Sequence, residues 1–214
     1  EMWDELTLSR YQVADPKLRR FRYGVQVNSL GLTEPQPENN VQRIVLEMMS
    51  VVLSKRARAR AIQLPAWNEA MGLPRPWDQQ WALRMQQVMA FETDLLEYDD
   101  ILDGSPVIAA KVRELVEGAQ REIENVEAQG GIIAAIESGY IKRELVGSHM
   151  NRLRAIESGD LKIIGVNCFQ ETAESPLTVG SDGAIMKTDP AAEREQIERL
   201  QAHRLCRRRE LPGR

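Results

Sequence analysis

Two short runs of alternating residues, joined by a breaker-rich loop and an apolar segment, constrain this chain more than any other feature. Between Phe21 and Asn28 the side chains alternate strictly, with Phe21, Tyr23, Val25 and Val27 on one side and Arg22, Gly24, Gln26 and Asn28 on the other. Period two is the signature of a strand. The run Glu34-Pro35-Gln36-Pro37-Glu38-Asn39-Asn40 then breaks the chain and supplies capping side chains to an apolar helical segment, Val41 to Leu53. Arg58 to Pro65 alternates again, with Ala59, Ala61, Gln63 and Pro65 facing one way and Arg60, Ile62 and Leu64 the other. Strand, helix, strand predicts a parallel pair, a right-handed crossover and helices covering the sheet, which is α/β architecture.

One face of that pair is unusual for a parallel sheet. Such strands normally read as continuous Val/Ile/Leu runs, and the interior of an eight-stranded barrel is filled with branched apolar side chains. Here Arg22, Gly24, Gln26, Asn28, Ala59, Ala61 and Gln63 are polar or small. Two readings follow. In a barrel this row leaves space for something threaded through the lumen; in an edge hairpin it is simply solvated.

The rest of the chain is mostly helical. Residues 3–19 read as a helix (Trp3, Leu6, Leu8) running into a turn at Asp15-Pro16. A chain that opens on Glu1 and reaches a strand twenty residues later is expected to be a fragment or a processed product. Gly72-Leu73-Pro74-Arg75-Pro76 breaks the chain, and Asp78 is placed as the N-cap of a helix over 79–97, with Trp81, Met85, Val88, Met89, Leu95 and Leu96 on one face. Ser105-Pro106 starts another, striped by Val112, Leu115, Val116, Ala119, Ile123 and Val126 and ended by Gly130-Gly131. Helices at 132–138 and 141–157 each close on a Ser-Gly pair. Leu161 to Phe169 reads as a third strand, 170–189 as irregular, and Pro190 to Arg209 as a last, charged helix.

Composition excludes some function classes. With 43% hydrophobic residues the chain can build a core, and net charge −4 gives no footprint for nucleic acid or an anionic membrane. It has no export signal and no long apolar run, and Cys168 and Cys206 stand at no metal or redox spacing; both are expected to be reduced thiols in a cytoplasmic protein. His149 and His203 lack ligand-spaced partners, and the basic groups around Arg56 and Arg207 read as solvated. Glu69 is the most suggestive acid. It lies just past the second strand, where barrel active sites are built, although position alone favours a first-turn carboxylate stabilised by the helix dipole.

Four stretches carry a resemblance: QVNSLGLTEPQPENN (26–40), QLPAWNEAMGLPRPWDQQW (63–81), GGIIAAIESGY (130–140) and RAIESGDLKIIGVNCF (154–169). In this order they resemble the adenosylcobalamin-dependent acyl-CoA mutases, the family of methylmalonyl-CoA mutase, over nearly the whole chain. LPAWNEA and its continuation look most like the ethylmalonyl-CoA branch, because methylmalonyl enzymes have His-Thr-Asn where Gln63-Leu64-Pro65 stands here.

The resemblance implies a partial (β/α)8 TIM barrel, of which these are the last two strands, followed by a mostly helical linker region. Residues 1–77 would be the C-terminal part of the acyl-CoA-binding barrel domain, 78–169 the linker, and 170–214 an irregular segment with a C-terminal helix. It implies adenosylcobalamin as cofactor and a radical 1,2-rearrangement of the acyl-CoA carbon skeleton, with ethylmalonyl-CoA or methylmalonyl-CoA as substrate. Gln26 and Glu69 match cofactor-side residues, the glutamate bonding the ribose of the adenosyl group, and Arg22, Gln26 and Asn28 fall to the acyl-CoA. Pro65 stands where methylmalonyl enzymes hold that ribose with an asparagine. The first six strands, with the family's substrate-holding tyrosine, histidine and arginine, lie outside this sequence, as does the cobalamin-binding domain with its Asp-x-His-x-x-Gly motif. The chain is therefore expected to work only with the rest of the mutase polypeptide or a cobalamin-binding subunit, as a homodimer when complete. The alternative is a truncated, non-catalytic remnant acting as a helical interaction protein.

Overall fold

The computed structural model describes residues 2–180 and 184–210, with side chains described as far as residue 207. Its centre is a two-stranded parallel sheet, β1 (Val25–Gln26) and β2 (Ile62–Gln63), joined through helix α2 (Asn39–Leu53). Val25 pairs with Ile62 and Gln26 with Gln63. Backbone bonds extend the ladder to either side: the Arg60 amide donates to the Tyr23 carbonyl, and the Val27 amide to that of Gln63. The regular strands are shorter than the alternation predicts, because among the described residues each strand has a single neighbour to close its ladder.

The apolar row of each strand faces the helices. Val27 and Leu64 are buried with Ile44 and Met48 of α2 and with Ala82, Met85 and Met89 of α3 (Pro76–Phe91). Burying side chains of this size stabilises by roughly 1.5–3 kcal/mol each, so this cluster ties both helices to one face of the pair. The opposite face, with Arg22, Gly24, Gln26, Ala61 and Gln63, is exposed.

Several boundaries differ from the sequence expectation. The N-terminal helix α1 spans only Met2–Ser9, and the chain turns at Gln12, which adopts a left-handed conformation (φ 55°). Asp78 is not the N-cap of α3. Arg75 holds that position and Asp78 is the third helical residue, its carboxylate accepting from the Arg75 amide at 2.8 Å. The helix ends at Phe91 rather than 97, because the Thr93 hydroxyl takes the Met89 carbonyl that a continuing helix would use.

Beyond it lie α4 (Pro106–Ala128), α5 (Ile132–Glu137), α6 (Tyr140–Ser158) and α7 (Pro190–Glu210). Gly139 and Gly159, at φ 74° and 82°, stop α5 and α6 as their Ser-Gly pairs predict. The expected third strand over 161–169 is a compact turn instead, with a single bridge between Ile164 and Cys168. Its polar groups are satisfied from within: Asn167 Oδ1 accepts from the Ile163 amide at 2.7 Å, and Asn167 Nδ2 donates to the Leu161 and Ile156 carbonyls. Gly165 (φ 83°) makes the reversal. The turn docks on α2 and the loop before it, where Arg43 of the helix donates to the Ile164 carbonyl and Gln36 of the loop to that of Phe169.

Candidate functional site

In a parallel pair both strands deliver their C-terminal ends to the same edge, where α/β proteins gather ligand-binding residues. Beyond β1 the chain enters a short 3-10 turn at Ser29–Gly31; beyond β2 it forms a buried knuckle, Leu64 to Asn68, and emerges at Glu69.

The strand register brings Gln26 and Gln63 side by side on the exposed face, two amides with no side-chain hydrogen bond among the described residues and roughly 4.8 Å apart at the backbone. Behind them the row is nearly bare, since a Cβ on Gly24 would meet the Ala61 carbonyl at 3.5 Å. Arg22 lies on the same row, four residues before Gln26 and therefore about 13 Å back along the strand. Asn28 is engaged otherwise. Its Oδ1 accepts from the Leu30 amide at 3.0 Å and caps the 3-10 turn, so it shapes the loop after β1 rather than reaching freely from the row.

Glu69 is exposed, and among the described residues nothing bonds its carboxylate. Its backbone contrasts with its side chain. Ala66, Trp67 and Asn68 are 5%, 1% and 0% exposed, and the Glu69 amide closes a turn on the Ala66 carbonyl. Asn40, itself fully buried in α2, donates to the Trp67 carbonyl at 2.8 Å and exchanges bonds with the backbone of Thr33. From α3 comes Asp78, a carboxylate at 0% exposure that accepts from Trp67 Nε1 and from Asn68 Nδ2, each at 2.9 Å. Arg75 adds its backbone amide and its guanidinium, Nε lying 3.1 Å from the same carboxylate. Burial pushes the Asp78 carboxyl up, but the bonds from Arg75, Trp67 and Asn68 together outweigh it and hold the group below its ordinary value. Trp67, Trp77 and Trp81 pack ring on ring over this network, with the Arg75 guanidinium 4.9 Å from the Trp77 ring.

Sequence reasoning placed Gln26 and Glu69 at this edge and missed the residues that fix it. Asn40, Asn68 and Asp78 were legible only as capping and loop residues; the one available signal is an acid three positions after a residue that precedes a helical proline, the spacing of a capping box. The remaining titratable candidates lie elsewhere. His149 and His203 are exposed on α6 and α7, Cys168 is half-buried and Cys206 exposed. Among the described residues no three His, Cys, Asp or Glu side chains gather as metal ligands, and no helix is long and apolar enough to cross a membrane.

An exposed carboxylate just past β2 and a parallel pair whose open face carries two amides belong to a helix-rich α/β chain. The family profile of methylmalonyl-CoA mutase matches residues 1–211, and the chain belongs to that family. It is 59% identical over 207 residues to an ethylmalonyl-CoA mutase of Cereibacter sphaeroides, covering 97% of this chain and 31% of that protein. An ethylmalonyl-CoA mutase of Methylorubrum extorquens is 58% identical over 95% of this chain and 30% of its own length. A methylmalonyl-CoA mutase of Cereibacter sphaeroides is 31% identical over 96% of this chain and 28% of its own. The chain thus spans about a third of the length of the relatives it matches.

Proposed function

We propose that this chain is a segment of a cobalamin-dependent acyl-CoA mutase, an isomerase of the ethylmalonyl-CoA type. Ethylmalonyl-CoA is its substrate, with methylmalonyl-CoA as the nearest competitor. Residues 1–77 supply the last two strands of a (β/α)8 barrel, 78–169 a helical linker, and 170–214 the segment that follows. The observation that carries this reading is the two-sided parallel pair: one row sealed under α2 and α3, the other exposed, small and amide-bearing. A barrel with that inner row has room for the extended chain of coenzyme A.

Adenosylcobalamin, when bound, supplies the radical chemistry of the carbon-skeleton rearrangement. The residues here fit its sugar: an unpartnered carboxylate accepts hydrogen bonds from vicinal hydroxyls, and Glu69 is such a group. Gln26 and Gln63, adjacent in register, offer donors and acceptors to the acyl thioester and to the cofactor's edge. Arg22, further back along the row, suits a phosphate or carboxylate of the substrate. Asn28 contributes through the loop it caps. The site is completed by the rest of the mutase polypeptide or a cobalamin-binding subunit, in a homodimer of the cytoplasm.

The test is turnover by the complete polypeptide that contains this segment, with adenosylcobalamin and a panel of acyl-CoA thioesters. Ethylmalonyl-CoA is expected to be isomerised with the highest kcat/KM. Preference for an unbranched thioester, or turnover that persists without the cofactor, would overturn the reading.

A further inference from the structure

Glu69 is an exposed carboxylate that follows three buried, hydrogen-bonded residues. A solvated surface acid has no use for such support. The three residues before it are buried, and each is held from a different direction: Ala66 by the turn it closes with the Glu69 amide, the Trp67 carbonyl by Asn40 of α2, and the Trp67 and Asn68 side chains by Asp78 of α3.

The Asp78 contacts are unusual in kind. A fully buried carboxylate is costly to fold around, and an apolar residue of similar volume would serve packing at least as well. Asn68 follows its lead. Its Nδ2 lies between two acceptors, Asp78 Oδ2 at 2.9 Å and the Ala184 carbonyl at 2.6 Å, which fixes the amide orientation and leaves Asn68 Oδ1 buried without a partner. Ala184, itself buried, sits at φ 61°, a conformation an alanine adopts only where its surroundings impose it. An orphaned oxygen and a strained backbone meet at Asn68, the residue before Glu69.

We propose that Asp78 is a positioning residue for the Glu69 carboxylate: through Trp67 and Asn68 it sets the direction in which that acid meets the ribose of the adenosyl group. The inference rests on the reading of Glu69 given above. Its action is on selectivity for the adenosyl ligand, because on that reading the ribose is what Glu69 contacts. Support of this kind around a ligating group is worth about 10-fold or more in affinity where it has been removed from other sites.

The experiment compares adenosylcobalamin with hydroxocobalamin, which lacks the adenosyl group, by titrating the complete mutase and following tryptophan quenching. In the parent enzyme, adenosylcobalamin binds more tightly by some ratio. Glu69→Gln should lower that ratio, and Asp78→Asn should lower it about 10-fold with hydroxocobalamin affinity unchanged. The double variant should lose no more than Glu69→Gln alone, since both act at one contact. If Glu69→Gln leaves the ratio intact, the assignment of Glu69 fails and the inference with it. If Glu69→Gln lowers the ratio and Asp78→Asn does not, or weakens both cobalamins equally, Glu69 keeps its role and the positioning role of Asp78 is overturned. Should Asp78→Asn fail to fold, Trp67→Phe removes one of its donors while leaving an aromatic ring in place; it must shift the same ratio, by a smaller factor, or the inference falls.

Discussion

At the scale of single residues, the buried polar groups decide more than their number implies. Asn40 satisfies the Thr33 amide and carbonyl, the Trp67 carbonyl and, through Oδ1, the Arg43 guanidinium. Replacing it with alanine strands several buried groups at once, each worth about 1–3 kcal/mol, and Asn40→Ala should cost about 2–4 kcal/mol overall. Urea unfolding of the parent and variant checks this; a loss under about 1 kcal/mol would mean that water reaches the vacated space. Asp78 carries a pH signature. Its folded pKa lies below the ordinary carboxylate value, so its contribution is fully present above the unfolded pKa of about 3.9 and is lost as pH falls through the folded value. Asp78→Asn should therefore destabilise at neutral pH and flatten the loss of stability on the acid side. Unfolding midpoints measured from pH 7 down to pH 3 should converge for the two proteins, and parallel curves would exclude the linkage.

At the scale of elements, what the sequence discloses follows from which interactions are local. The βα pattern was legible because alternation between Phe21 and Asn28 and between Arg58 and Pro65 is written in neighbouring residues, as is the Gly-ended closure of α5 and α6. The third strand was misread for a long-range reason: Leu161 to Phe169 has strand-like composition, yet Gly165 reverses it and Asn167 satisfies its carbonyls, while Arg43 and Gln36, more than a hundred residues away, hold it in place. The site was half legible for the same cause. Glu69 was visible from its position after a strand, whereas the Asp78 network exists only once α3 folds back on the knuckle. The turn offers its own test. Gly165 has φ 83°, and an added Cβ would lie 3.1 Å from Gln36 Cδ. Gly165→Ala should cost about 1–2 kcal/mol in backbone strain alone. It should also loosen the docking on Gln36, read as faster amide exchange over residues 161–170 with little change in α2.

At the scale of the whole molecule, the distribution of apolar surface is the informative feature. α4 and α6 bury none of their residues, although Val112 and Leu115 on one and Leu145 and Val146 on the other are large and apolar. Phe91 at the end of α3 is 81% exposed, and Leu46 on α2 is 67% exposed. The sheet adds two open edges, since among the described residues β1 and β2 pair with each other alone. Backbone groups on such edges and apolar patches beyond a few hundred Å² both drive association. Taken by itself, this chain should self-associate in a concentration-dependent way, with sedimentation velocity showing weight-average mass rising above the 24.3 kDa of one copy. The proposed context makes a sharper claim. If further strands of a barrel flank β1 and β2 and the remaining polypeptide covers the helical faces, Phe91 and Leu46 become interior residues in the complete enzyme. Phe91→Glu and Leu46→Glu should then act in opposite directions in the two settings: they should reduce association of the lone segment, yet lower the thermal midpoint of the complete enzyme, by about 1 °C for each kcal/mol of packing lost in a protein of that size. Charge substitutions that are harmless in both settings would place those faces in solvent, and the barrel assignment of residues 1–77 would lose its physical basis.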